Sequence, residues 1–320
     1  MYTIGIDLGG TNIAVGLCDG ELQIKDKLSV PTLKERAPEK IVRDMASLAG
    51  RIIERNGLTK EDIKYVGIAT PGSVDKEAGR VIYANNLPFK NYPLKETFNS
   101  FLPVNRIILA NDADAAALGE SLVGAARAAK SAIMITLGTG IGGAIIIDGK
   151  VWNGGIHRAG TEIGHHVIAM GGRPCTCGRR GCFETYASAT ALIEMTREKL
   201  NEIEASGAKS ILANIAKKEG KVSARTAFDA MRAGCEHGTS LVENYITYLA
   251  EGITNIINTF APEMIIIGGG ISKEGEYLTQ PLREKVEKSC YFRCGDAIPQ
   301  IVIAALGNDA GIIGAAALGS

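Results

Sequence analysis

The opening of this chain is written again 129 positions later. TIGIDLGGTNIAVGLCDGELQ returns as SAIMITLGTGIGGAIIIDGKVW, so that Leu8-Gly9 falls on Leu137-Gly138 and Asp19-Gly20 on Asp148-Gly149. Each copy reads as an apolar strand, a Gly-rich bend, a second strand and an Asp-Gly hairpin turn, in which glycine accepts a positive φ. Two Gly-rich hairpins can resemble each other by chance. The shared strand–bend–strand layout nevertheless predicts an α/β chain built as two similar halves with a cleft between them.

The rest of the pattern is consistent with that. ELQIKDKLSV follows the first hairpin as a third strand. Ile41, Met45, Leu48 and Ile52 recur at helical spacing and predict an amphipathic helix over residues 38–55. KYVGIATPG is a short buried strand that ends at Pro71-Gly72, and RIILAND is another that runs into an Ala-rich helix, DAAALGESLVGAARAA. Late in the chain, LVENYITYLAEGITNIINTFAPEMIIIGGGIS reads as a long helix, a break at Pro262, a buried strand and a glycine run; DAGIIGAAALG reads as a small-residue helix. Strands alternating with helices are the signature of an α/β fold.

Composition bounds the function. At 320 residues and 46% hydrophobic, the chain has room for two domains with buried cores. Lys+Arg and Asp+Glu both total 35, and this balance argues against a nucleic-acid partner, which usually calls for a basic excess. No stretch of about 18 uncharged apolar residues occurs, so no spanning helix and no membrane partner are expected. MYTIGIDLGG lacks the charged and apolar regions of a secretory signal, so a cytoplasmic location is expected.

Glycine turns close three of the apolar strands, at Asp7 to Asn12, Gly138 to Gly143 and Gly268 to Gly270. Without a Cβ, backbone N–H groups can come close to an anion, so two such hairpins can grip a polyphosphate. A carboxylate at the first bend, Asp7, suits Mg²⁺ held through water. GTGIGG contains the spacing of a dinucleotide fingerprint, but that fingerprint opens a helix, and here the strand AIIIDG follows. No G-x-x-x-x-G-K-[ST] loop occurs. Asn111 and Asp112 stand where a buried strand meets a helix. Either residue can cap that helix, and a carboxylate there can also take the proton of an attacking hydroxyl.

Cys175, Cys177 and Cys182 fall within eight residues of one another, which in a cytosolic chain favours metal ligation over disulfides. With His165 they form a Cys₃His set typical of closed, structural zinc sites, although the neighbouring His166 is an equally placed imidazole. Four protein ligands leave no open position for chemistry, so the metal reads as a brace. Glu162 and Glu184 flank the cluster; such carboxylates are commonly just solvated, but they also accept hydrogen bonds from sugar hydroxyls.

With these motifs in view, the chain resembles the ROK family of repressors, open reading frames and sugar kinases, within the larger group that includes actin, Hsp70 and hexokinase. The resemblance runs over nearly the whole chain: D-L-G-G-T-N from Asp7, Pro71-Gly72, N-L-P from Asn86, N-D-A from Asn111, L-G-T-G-I-G-G, and the terminal I-I-G-G-G-I-S and L-G-N-D-A-G. It is most specific at E-I-G-H, Glu162 to His165, joined to C-x-C-G-x-x-G-C-x-E, Cys175 to Glu184. The resemblance implies two ribonuclease-H-like domains, a smaller one from residues 1–113 plus about 306–320 and a larger one from 114–305 carrying the zinc loop and a dimerisation surface. It implies Asp112 as catalytic base; Asn86, Asn111, Glu162, His165 and Glu184 as sugar ligands; and Gly9, Gly10, Thr11, Asn12, Gly138, Thr139 and Gly140 around the phosphates of Mg·ATP, with Gly269 and Gly270 near adenosine. His165 would bind zinc through one ring nitrogen and face the sugar with the other. The implied activity is transfer of the γ-phosphate of ATP to the 6-hydroxyl of glucose, by a homodimer or homotetramer. N-acetylmannosamine, N-acetylglucosamine and fructose kinases share every motif. A sugar-responsive regulator is disfavoured because the chain begins directly in the first phosphate loop. One departure is Asp114, where many members carry Asn; it is expected to alter a contact at the helix start rather than the chemistry.

Overall fold

The computed structural model describes residues 1–84, 86–152, 154, 161–291 and 298–319. They gather into two compact units, Met1–Ala132 with Ala144–Thr161 and Ala305–Ser320, and Ile133–Gly143 with Glu162–Ala304. No described helix is long and apolar enough to cross a membrane.

The repeat is realised residue for residue at its start. Strands β1 (Tyr2–Leu8) and β2 (Asn12–Cys18) have counterparts at the same 129-residue offset in β9 (Ser131–Leu137) and β10 (Ile141–Ile147). Each pair flanks a three-residue bend. Between them run β3 (Ile24–Pro31), α1 (Pro38–Arg55), β4 (Ile63–Thr70), β5 (Ser73–Asp75), β6 (Arg80–Tyr83), β7 (Lys90–Tyr92), α2 (Leu94–Phe101), β8 (Ile107–Asn111) and α3 (Asp112–Val123). After them come β11 (Lys150–Trp152), α4 (Glu184–Ala187), α5 (Ala189–Ser206), α6 (Ile211–Glu219), α7 (Ala224–Arg232), α8 (Glu236–Phe260), β12 (Met264–Gly269), α9 (Glu276–Ser289), β13 (Gln300–Ile303) and α10 (Ala310–Ala317). The two large sheets have the orders β3-β2-β1-β4-β8 and β11-β10-β9-β12-β13, the same arrangement twice; β5, β6 and β7 make a separate small sheet.

Two local expectations are corrected. At the first hairpin the positive φ belongs to Leu22 (61°), not Gly20, and the Asp19 carboxylate accepts from the Glu21 and Gln23 amides at 3.0 and 2.9 Å. A side chain that satisfies the turn's amides relieves glycine of that task. The second hairpin does place Asp148 and Gly149 at φ 51° and 70°. The Ala-rich helix also stops at Val123 instead of running on through the alanines, because the Glu120 carboxylate takes the Ala125 amide at 2.7 Å and folds the chain back.

In the first unit, one face of the sheet packs Ile4, Ile6, Leu8, Ile13 and Val15 against the predicted face of α1, where Ile41, Met45, Leu48 and Ile52 are all buried. The opposite face has no large side chains at its centre. Gly16, Gly5 and Gly67 lie in one row across β2, β1 and β4, because Gly5 is in register with both of the others. Helix α10 lies in the groove they leave. A Cβ on Gly5 would stand 1.9 Å from the Ile312 carbonyl oxygen, and one on Gly67 1.8 Å from that of Ala315. On the far side of α10, a Cβ on Gly314 would meet the Ala115 carbonyl oxygen of α3 at 1.6 Å. The Tyr65 hydroxyl also donates to the Ala316 carbonyl.

Backbone oxygens cannot rotate away as a side chain can, so Gly67→Ala is expected to destabilise the protein by about 3 kcal/mol or more, the upper end of overpacking. Gly20→Ala, with nothing within 4 Å of the new methyl, is the control and is expected to leave the melting temperature unchanged. Thermal unfolding of the two variants side by side checks this.

Candidate active site

In the first unit, three parallel strand ends bring the acidic groups together. Asp7 pairs in register with Ala69 of β4, and Thr70 pairs with Asn111 at the end of β8. In open α/β sheets, ligand sites lie at this carboxyl edge. Asn111 is the N-cap of α3: its Oδ1 accepts from the Ala113 and Asp114 amides at 2.9 and 3.3 Å. Its Nδ2 donates to the Gly72 carbonyl at 3.0 Å, which fixes the Pro71-Gly72 turn against the helix start. The capping task therefore falls to Asn111, and Asp112 follows as the first helical residue, where the helix N-terminus favours a negative charge. Burial first, and the neighbouring Asp112 carboxylate second, push the Asp7 carboxyl up to about 7. Gly311 of α10 crowds the same group, since a Cβ there would lie 2.5 Å from the Asp7 carboxyl carbon.

The first glycine bend is tied down by its own backbone. The Gly9 amide donates to the Asn12 carbonyl at 2.9 Å, and Thr32 closes it from the side, its amide on the Thr11 carbonyl (2.8 Å) and its hydroxyl on the Gly9 carbonyl (2.7 Å). Asn86 stands beside it: a Cβ on Gly10 would lie 3.6 Å from the Asn86 Cβ. Asp114, the departure from the family pattern, is buried and meets the Lys76 ammonium at 3.4 Å. Burial raises its carboxyl above the usual range while Lys76 opposes that shift. Its amide contributes to the helix start, but its side chain reaches across to the segment after β5.

In the second unit, the bend Gly138–Gly140 is closed by the Gly138 amide on the Gly140 carbonyl at 3.0 Å and held by the Ala189 amide on the Gly138 carbonyl at 2.9 Å. Gly269, at φ 86°, packs against Leu137: a Cβ there would stand 2.4 Å from the Leu137 oxygen. A cavity of about 170 Å³ opens beside these glycines. Gly138, Thr139 and Gly270 form one part of its wall and Leu137, Ile271 and Ala189 an apolar part, with Arg225 and Glu274 as its charged groups.

Glu184, the first residue of α4, stands against the same bend. A Cβ on Gly140 would lie 2.4 Å from its Oε2. Its Oε1 is 3.6 Å from His165 Nδ1 and accepts from the Cys175 thiol at 3.2 Å. His165 ends a short turn, Ile163–His165, which Glu162 precedes and which lies on the start of β10; a Cβ on its Gly164 would meet the Ile141 oxygen at 2.2 Å. His165, Cys175, Cys177 and Cys182 converge so that their ligand atoms all lie within 4.8 Å of one another. Cys177 and Cys182 sulfurs are 3.6 Å apart, and Cys175 Sγ is 3.5 Å from His165 Nδ1. A tetrahedral zinc with ordinary bond lengths needs about 3.8 Å between sulfurs and about 3.6 Å between sulfur and nitrogen, so the donor set fits that ion. His166 points elsewhere, its Nδ1 on the Ile163 carbonyl at 2.6 Å and its ring against Phe183, and burial lowers its pKa. Of the two histidines, His165 is the one whose ring stands with the three cysteines.

The structure distributes the sequence-predicted residues over the two units. Asp7, Gly9 to Asn12, Asn86, Asn111 and Asp112 gather in the first; Gly138 to Gly140, Glu162, His165, Glu184, the three cysteines, Gly269 and Gly270 gather in the second. Sequence reasoning missed Lys76, Arg225 and Glu274. None stands in a recognisable motif, and only the fold brings them to these places.

A model of the ROK family matches residues 3–320. The glucokinase of Halalkalibacterium halodurans is 37% identical over 316 residues, 98% of this chain and 93% of that protein. The glucokinase of Thermotoga maritima is 37% identical over 318 residues, 98% and 96% of the two chains. Among solved structures, a ROK family glucokinase from Streptomyces griseus, in complex with glucose and AMPPNP, superimposes with a TM-score of 0.84 at 31% identity and covers 99% of each chain.

The electrostatic influence of Asp112 on Asp7 gives a direct test. Carbon-13 NMR of the Asp7 carboxyl is expected to show a midpoint near 7. In Asp112→Asn that midpoint is expected to fall, because one of the two causes is gone, yet to stay above the usual carboxylate range, because burial is the larger cause.

Proposed function

We propose that this chain, which belongs to the ROK family, is an ATP-dependent glucokinase that transfers the γ-phosphoryl group of Mg·ATP to the 6-hydroxyl of glucose. The observation that carries the reading is the place of Glu184: one carboxylate stands at once against the glycine bend at Gly140 and against the His165–cysteine cluster. A hydrogen-bond acceptor for sugar hydroxyls is thereby set beside a polyphosphate cradle. The matched glucokinases and the glucose–AMPPNP complex support the substrate pair.

In this reading Asp112, the first residue of α3, accepts the proton of the 6-hydroxyl as it attacks the γ-phosphorus. Asn111 and Asn86 in the first unit, and Glu162, Glu184 and the Nε2 edge of His165 in the second, hold the sugar hydroxyls. With the Gly9 and Gly138 amides spent inside their bends, the amides of Gly10, Thr11, Thr139 and Gly140 are those offered to the phosphates, and Gly269-Gly270 lies by the nucleoside. Asp7 takes the Mg²⁺ of Mg·ATP through water. Phosphoryl transfer asks little covalent chemistry of a protein, so positioning and charge do most of the work. A zinc ion would be held by His165 Nδ1, Cys175, Cys177 and Cys182. Such an ion would supply a rigid brace for the His165 ring and the Glu184 backbone, with all four positions taken by protein ligands.

Turnover of Mg·ATP against glucose, mannose, fructose, N-acetylglucosamine and N-acetylmannosamine tests the substrate, and glucose is expected to have the highest kcat/KM. Preference for an acetamido sugar would overturn the glucose assignment. Asp112→Asn is expected to lower kcat about 10²- to 10⁴-fold, the range of a general base, with glucose affinity by calorimetry kept. Near-wild-type turnover would remove the base assignment.

The metal reading has its own check. Cys177 is exposed, so Cys177→Ser opens no cavity. It is expected to abolish stoichiometric zinc, lower the melting temperature and raise KM for glucose more than KM for ATP. Unchanged zinc by metal analysis would refute the ligand set.

A further inference from the structure

The cavity beside Gly138 and Gly270 carries a charged group that the reading above leaves without a task. Glu274 lines it, at the end of the short turn Gly270–Glu274 that follows β12. Its side chain is only 6% exposed. A buried carboxylate needs a charged or hydrogen-bonding partner, and Arg232 of α7 supplies one, its Nη1 on Glu274 Oε2 at 2.5 Å. The same guanidinium binds Asp229 through Nη2, and it lies over the Tyr277 ring at 5.3 Å. Arg225, the other charged group of the cavity, is turned toward Asp229 at 3.7 Å. Arg232 and its neighbours thus anchor Glu274 from behind. Its cavity face stands against an apolar wall of Leu137, Ile271 and Ala189.

A carboxylate is an acceptor only. In an apolar cavity it favours a partner with a neutral N–H or O–H and disfavours one with only anionic oxygens. Cradles built from glycine bends bind any phosphate chain and so do not distinguish ATP from inorganic polyphosphate. A nucleoside has both kinds of donor, the exocyclic amino group of adenine and the ribose hydroxyls. Polyphosphate has neither. A site that expects a hydrogen-bond donor rejects an analogue lacking it far more strongly than an apolar pocket rejects a shape change, because the buried acceptor is then left unpaired.

We propose that Glu274 is the donor-specificity residue: it accepts a hydrogen bond from the nucleoside half of the phosphoryl donor and so makes the enzyme dependent on a nucleotide. This rests on the kinase reading above and adds a residue to it. The Arg232–Asp229 pair outlives removal of Glu274, so no unpaired buried cation is created by Glu274→Ala.

The test compares wild type, Glu274→Ala and Glu274→Gln with ATP, ITP, 2′-deoxy-ATP and inorganic polyphosphate as donors to glucose. Wild type is expected to prefer ATP over polyphosphate by at least about 100-fold in kcat/KM, as for other sites that read a substrate N–H or O–H. Glu274→Ala is expected to raise KM for ATP about tenfold and to raise kcat/KM for polyphosphate, with KM for glucose within about twofold of wild type. Glu274→Gln, which keeps an acceptor oxygen, is expected to fall between the two. ITP lacks the amino group and 2′-deoxy-ATP lacks one hydroxyl; the analogue missing the group that Glu274 reads loses affinity in wild type and no more in Glu274→Ala. ATP affinity by calorimetry, with melting temperature as the folding control, gives the same readout without turnover. Unchanged ATP affinity in folded Glu274→Ala, or equal use of ATP and polyphosphate by wild type, overturns the proposal. Absence of glucose phosphorylation by wild type despite tight ATP binding would instead overturn the kinase reading and leave the Glu274 assignment to the calorimetry.

Discussion

Helix α10 approaches β1, β4 and α3 so closely that its backbone touches theirs. The row Gly16–Gly5–Gly67 is the constraint behind this contact. Three missing side chains leave a groove, an entirely buried helix of small residues fills it, and Gly314 lets α3 close on its other side. Interiors are packed at crystal-like density, so a helix seated backbone to backbone has one position. That position sets the chemistry. The first turn of α10 puts Gly311 against the Asp7 carboxyl, and the start of α3, seated on α10, carries Asn111 and Asp112 to the strand edge where Asp7 ends.

The second unit reaches comparable rigidity by other means. The groups proposed to meet the sugar lie there on short turns, an arrangement that by itself is mobile. The cluster of His165, Cys175, Cys177 and Cys182 ties two of those turns together, and Glu184 follows Cys182 by two residues, directly at the start of α4. Gly140 then lets the Glu184 carboxylate come within contact of the glycine bend. The cysteine cluster, the Glu184 carboxylate and the glycine bend are neighbours in space for this reason, although Glu184 lies 44 positions after Gly140 in the chain.

What the sequence disclosed follows from how local each signal is. The repeated hairpins were legible because strand period and glycine bends are local; they recur at an unchanged offset in β1, β2, β9 and β10. The cysteine cluster was legible because its ligands lie close in sequence. The α1 face was legible from its periodicity, and all four predicted residues are buried. The row of glycines was not, because Gly5, Gly16 and Gly67 meet only through strand register. The early stop of α3 was hidden by a long-range cause: Glu120 turns from an ordinary helix former into a buried clamp because it also takes the Ala305 and Leu306 amides, at 3.1 and 2.8 Å. Leu22 took the positive φ that Gly20 seemed made for, because Asp19 satisfied the loop amides first.

Two carboxylates placed close together need environments that separate their behaviour. Asp7 is enclosed, and its proton leaves only near neutral pH. Asp112 sits at a helix N-terminus whose amides favour its charge. The contrast suits their proposed tasks. A base must be ionised before the sugar arrives, whereas a carboxylate that meets a cation with the nucleotide need ionise only as the cation comes. Above pH 7 the uncompensated Asp7 charge costs folding stability, and that cost is relieved as pH falls through its folded pKa toward the ordinary carboxylate value. A Mg²⁺ ion held at Asp7, as proposed, would relieve the same cost at neutral pH and would couple nucleotide binding to the stability of the first unit through a single buried carboxyl.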